Sequence, residues 1–203
     1  MYDTMQVRPR RFRLRFGLRG LLFGLITLAA LGGAGTGVFL WLSAGEGESV
    51  RVITAVQFPY PQGWSEQPLT AEDRSAGLML KLDRQDPAAT FLARTVIARL
   101  APDFDVSRLA DETATALTGE IEGFELLDKG VLALGPYQAV RVEYSQTGVE
   151  ESPDYHTVMT IVPTENQTFY LTVRATKNDF RKIKEEGLQI TNTFVTYVSA
   201  GGE

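Results

Sequence analysis

Four residues within a run of seven carry the densest chemistry in this chain. Glu150, Glu151, Asp154 and His156 bring three carboxylates together with the only imidazole. Hard oxygen ligands with one ring nitrogen suit Ca²⁺ or Mn²⁺. The plainer reading of the run is an acidic, solvated loop leading into a strand. A single histidine excludes a three-histidine zinc site and an HExxH helix. A Ser-His-Asp triad would have to use His156, and no GxSxG elbow supplies its serine. The lack of cysteine excludes disulfides, thiol nucleophiles and thiolate metal sites. Neither the P-loop pattern nor GxGxxG occurs. Asp111/Glu112 and Glu120/Glu122 can be posed as acid–base pairs, but they fall on or beside the wet face of a predicted helix, where solvation accounts for them. Tyr60, Trp64 and Tyr137 lie near proline turns and are candidates to line a groove for a peptide or partner protein. The same aromatics also read as core or core-edge residues. The residue types therefore point to no catalytic group and no cofactor.

The charge is unevenly spread. Arg8, Arg10, Arg11, Arg13, Arg15 and Arg19 are six of 20 basic residues, and Asp3 is the only acid beside them. Leu21–Leu42, LLFGLITLAALGGAGTGVFLWL, follows without a charge. As a helix it would span ~33 Å, against a hydrocarbon core of ~30 Å. Beyond it lie 14 bases and 24 acids, a formal charge of −10. An acidic domain repels nucleic acid, so no nucleic-acid partner is expected. The positive-inside rule puts residues 1–20 in the cytoplasm as a basic tail and the C-terminal domain outside. The stretch reads as an uncleaved, single-pass anchor, longer than the ~7–15 residues of a signal-peptide core. Ser43 and Gly45 still offer small residues for cleavage, and Arg10-Arg11 offers a twin-arginine signal in a poor context. Gly33 and Gly37 form a GxxxG suited to helix pairing in the membrane, as do Gly20 and Gly24 at its edge.

Residues 43–49 are small, polar and glycine-rich, a short flexible linker. One domain of ordinary size occupies 50–198, with 199–203 as a tail. Strands are expected at Val50–Phe58, around Leu78–Leu82, over Phe91–Leu100, Phe124–Asp128, Val131–Leu134, Tyr137–Ser145, Tyr155–Val162 and Thr168–Ala175. One helix is expected after Asp105 or Ser107, stopping at Gly119. The last helix follows Asn178 or Asp179, with Phe180, Ile183, Gly187, Ile190 and Phe194 in one apolar stripe. Gly187 sits within that stripe and marks a close approach of helix to sheet. The lysines and glutamates of 181–186 should cover the wet face. Antiparallel strands with amphipathic helices make an α+β domain, an antiparallel sheet with helices packed on it and one transmembrane helix before it.

The order of these signals resembles the PsbP-like superfamily, which includes the extrinsic PsbP subunit of photosystem II and many small bacterial extracytoplasmic proteins. The resemblance is carried by Phe58, Pro61, Gly63 and Trp64, then by a helix ending in Leu117. Phe124-Glu125-Leu126-Leu127 and Gly135-Pro136-Tyr137-Gln138-Ala139-Val140 follow. The close is Tyr170-Leu171-Thr172-Val173-Arg174-Ala175, a helix and Phe194. It spans roughly residues 52–196 and implies an α/β/α sandwich that binds protein partners, with no shared catalytic residues. PsbP itself is a soluble lumenal protein, so a photosynthetic role does not carry over to a chain with an anchor.

These readings lead to an expected function. The chain is a membrane-anchored, non-enzymatic extracytoplasmic interaction domain, an accessory or assembly factor for a membrane complex. The alternative is a small-ligand or divalent-metal-binding module of the cell envelope. An enzyme would need a deep pocket with convergent polar groups.

Overall fold

The computed structural model describes residues 59–97, 104–148 and 152–200. The basic tail, the apolar stretch with Gly33 and Gly37, the linker, the strand expected at Val50–Phe58, and Glu150 and Glu151 all lie outside these residues. Among the described residues, no helix is long and apolar enough to cross a membrane.

Seven antiparallel strands form one sheet: β1 (Trp64–Glu66), β2 (Leu78–Gln85), β3 (Ala88–Val96), β4 (Phe124–Leu134), β5 (Tyr137–Gln146), β6 (Tyr155–Pro163) and β7 (Thr168–Thr176). Their order is β1-β2-β3-β7-β6-β5-β4. Two meanders, β1–β3 and β4–β7, are thus joined along a single seam where β3 pairs with β7. The helices are α1 (Ala71–Ser75), α2 (Val106–Glu120) and α3 (Phe180–Ala200).

Period-two alternation sends side chains to two separate cores. On one face Leu82, Phe91, Val158, Leu171 and Val173 meet Phe180, Ile183, Ile190 and Phe194 of α3. On the other, Val140, Val142, Tyr144, Met159 and Ile161 meet Leu109 and Leu117 of α2. The result is an α+β, α/β/α sandwich whose two main helices lie on opposite faces. They are offset, with α2 over β4 and β5 and α3 over β7, β3 and β6.

The stripe expected on the last helix faces the sheet as read. At Gly187 a Cβ would stand 2.5 Å from Val173 Cγ1, so the close approach admits only glycine. Other expectations shift. The helix after Asp105 does not stop at Gly119 but runs through Glu120, because open space surrounds Gly119 and the turn to positive φ comes at Gly123. Asp105, not Ser107, is the cap, its carboxylate accepting from the Ser107 N–H. The two strands expected at 124–128 and 131–134 are one. A bulge between Leu126 and Asp128 breaks the alternation without ending the ladder. Trp64–Glu66 and α1 were not foreseen, being too short to show a period. The last helix takes in Ser199 and Ala200.

Candidate functional site

The polar groups of the α3-facing side of the sheet gather around the first two turns of that helix. Glu143 on β5 points toward α3, where Lys184 Nζ donates to both its carboxylate oxygens at 2.8 Å. His156 on β6 adds a third contact, Nε2 lying 2.8 Å from Glu143 Oε1. Against a carboxylate that nitrogen must be the protonated one. The imidazole stacks on Phe180, with centroids 3.8 Å apart and planes at 7°. Burial alone would raise the Glu143 carboxyl. The hydrogen bonds from Lys184 and His156, with the charges behind them, outweigh it and hold the group below its ordinary value of 4.5.

A second cluster grips the same stretch of helix from the other side. Trp64 Nε1 on β1 donates to Glu186 Oε2 at 2.9 Å, and Arg84 on β2 pairs with the same oxygen. Lys184 and Glu186 were expected on the wet face. Instead they straddle the apolar stripe and fasten α3 to both halves of the sheet. The charged residues of this segment left exposed are Arg181, Lys182 and Glu185.

The sequence-derived site residues find separate places. His156 is committed to Glu143, a partner that sequence reasoning missed. Asp154 Oδ1 accepts from the Gly148 N–H at 2.9 Å and so shapes the turn before β6. Among the described residues, no three histidine or acidic side chains gather where they could hold a metal ion. Ser145 is the cross-strand neighbour of His156. Its hydroxyl donates to Glu125 Oε2 at 3.0 Å, so it is not directed at the imidazole. Asp111 pairs with Lys129 and Glu112 with Arg108, whereas burial raises the carboxyl of Glu120 at the end of α2.

The three candidate aromatics do not line one groove. Trp64 is buried, and Tyr60 and Tyr137 are half-buried against the same core. Trp64 stands at the Arg84–Ala89–Ala175–His156 row, whereas Tyr137 opens β5 at the far end of the sheet, opposite Leu134.

Apart from Ile97, just past β3, the large apolar side chains left exposed among the described residues lie on β4. This 11-residue strand closes one edge of the sheet and pairs only with β5 among the described strands. Leu126, Leu127 and Val131 are 38%, 45% and 44% exposed. An edge of that length offers unpaired backbone N–H and C=O groups to an incoming strand.

No family model matches the sequence, and no curated protein matches it. Solved structures do match the fold. LpqN of Mycobacterium tuberculosis, described as involved in cell envelope biogenesis, superposes with a TM-score of 0.50 at 15% identity, over 66% of this chain and 78% of that one. PA94 from Pseudomonas aeruginosa, of unknown function, gives 0.46 at 14% identity, over 64% and 78%. Cyanobacterial PsbP from Synechocystis gives 0.46 at 12% identity, over 66% and 82%. At these identities the likeness is one of fold alone, and PsbP, whose superfamily the order of the sequence signals resembles, is among the structures matched.

Proposed function

We propose that this chain presents a non-enzymatic protein-interaction domain on the outer side of a membrane, tethered by Leu21–Leu42, as an accessory or assembly factor of a membrane complex. The observation that carries this reading is the β4 edge, which pairs only with β5 among the described strands and carries three exposed apolar side chains. Strand addition supplies affinity through main-chain hydrogen bonds and specificity through alternate side chains. The polar clusters of the sheet support the non-enzymatic part of the reading. Glu143, Lys184, Glu186 and Arg84 are engaged in holding α3. The fold shared with LpqN, a protein of cell envelope biogenesis, supports a place in the envelope.

Site-specific photo-crosslinking in native membranes tests this. A photo-reactive residue at Val131 is expected to give a discrete heteromeric adduct, and one at the exposed Arg181 of α3 is expected to give none. An adduct with a second copy alone, or none from Val131, overturns the proposal.

A further inference from the structure

The bulge in β4 sorts the side chains of that edge by chemistry. Register passes from Leu126 opposite Tyr144 to Asp128 opposite Glu143, so Leu127 is the added residue. Glu125, opposite Ser145, and Asp128, opposite Glu143, therefore share the α3-facing side of the sheet. In a regular strand a spacing of three would put them on opposite faces. Leu126 and Val131 stand opposite Tyr144 and Val140, on the α2-facing side. Every residue from Glu125 to Val131 is exposed, and α3, lying over β7, β3 and β6, does not cover this edge.

The two carboxylates have capacity to spare. Glu125 accepts from the Ser145 hydroxyl at 3.0 Å, and Asp128 has no partner among the described residues. Glu122, exposed in the turn before β4, lengthens the acidic run. The nearby cations are engaged or set back. Lys129, the one cation of the strand, is on the α2-facing side, where its Nζ donates to Asp111 at 2.7 Å. A lysine on an edge strand ordinarily discourages strand addition, but this one is folded back onto a helix. Lys184 is bound to Glu143. Arg141 is half-buried on β5, one strand in from the edge, opposite Gly130. The rim is thus left with negative charge on one side and apolar surface on the other.

We propose that β4 accepts a strand of a partner protein in which lysine or arginine alternates with apolar residues. This occupant rests on the reading of β4 as a docking edge and gives it a chemistry. Side chains of an added strand alternate between the two faces of the sheet. Cations two positions apart then meet Glu125 and Asp128, and the apolar residues between and beyond them meet Leu126 and Val131. Charge decides against the other occupants. A second copy would bring, on its own β4, two like carboxylates and a single lysine already held by Asp111. An anionic lipid surface or a nucleic acid would meet the net charge of −10 carried by the domain. A cationic strand is drawn in by the same field.

The experiment uses the full chain in mild detergent and a short fluorescent peptide in which lysine alternates with valine. Comparison peptides carry glutamate for lysine, or the same lysines and valines in two blocks. The alternating lysine peptide is expected to bind, and both others to bind at least about fivefold more weakly. Glu125→Gln/Asp128→Asn should lose about fivefold in affinity, and Glu125→Lys/Asp128→Lys should turn the preference to the glutamate peptide. Glu66→Gln, an exposed acid on β1 at the opposite edge, should change nothing. Asp128→Asn alone, with the unfolding midpoint unchanged, keeps the test valid should a double variant fail to fold. The charge-reversed pair is also combined with the photo-reactive residue at Val131 in native membranes, where the heteromeric adduct should disappear. An adduct that survives charge reversal, or peptide binding indifferent to the sign or pattern of charge, overturns the basic strand while leaving β4 as a docking edge. No adduct from the chain with its acids intact, or an adduct with a second copy alone, overturns both.

Discussion

Glu143 shows how much of this molecule depends on single polar side chains placed under a helix. Its carboxylate joins β5, β6 and α3 through His156 and Lys184. Because its folded-state value is held below the ordinary 4.5, the folded form binds its proton later than the unfolded form does. The stabilisation is therefore complete above the ordinary glutamate range and is lost as pH falls through the depressed value. Urea titrations across that acidic window should show the wild type losing its advantage over Glu143→Gln, with the two converging at the lowest pH. A constant difference at every pH would contradict this assignment. The single imidazole stood out in the sequence, but its partner did not. Glu143 is 13 residues away and Lys184 a further 41 beyond Glu143. Alternation reveals which face a residue occupies, whereas pairing depends on register, which the pattern leaves open.

At the scale of elements, α3 was the easiest to read and is the most exacting in its fit. A one-sided apolar stripe reports one-sided burial directly, so the helix, its face and the special place of Gly187 could all be anticipated. Alanine at 187 would gain ~1 kcal/mol of helix propensity. It would also drive a Cβ to 2.5 Å from a β-branched side chain with little room to turn. Overpacking of that kind costs about 1–3 kcal/mol, so Gly187→Ala should be net destabilising by chemical denaturation. Val173→Ala should relieve it, and the double variant should be more stable than the sum of the single changes predicts. The elements missed or misread have their own causes. A three-residue strand and a five-residue helix fall below any period. The bulge in β4 hides one strand behind two, and Gly119 looked like a stop only because a glycine near a helix end usually is one.

At the scale of the whole molecule, the chain enters the sheet beside β1, and β4 is the opposite edge, six strand spacings or about 29 Å away. A tether upstream of Pro59 would hold the first edge and leave the second free for a partner. Val131→Lys, at an exposed position, should change folding stability by less than about 0.5 kcal/mol in denaturant titration while abolishing association at β4. The seam between β3 and β7 has a further bearing, on how the protein is made. Every other neighbouring pair of strands is consecutive in the sequence and can pair as soon as it is synthesised, but β3 must wait for a partner about 70 residues later, a long loop to close. Until β7 and α3 leave the ribosome, the first meander has an open edge from Ala89 to Val96 and no cover over Leu82 and Phe91. The hazard of misassembly during biosynthesis is thus concentrated on one strand, and it passes only when β7 and α3 have been made.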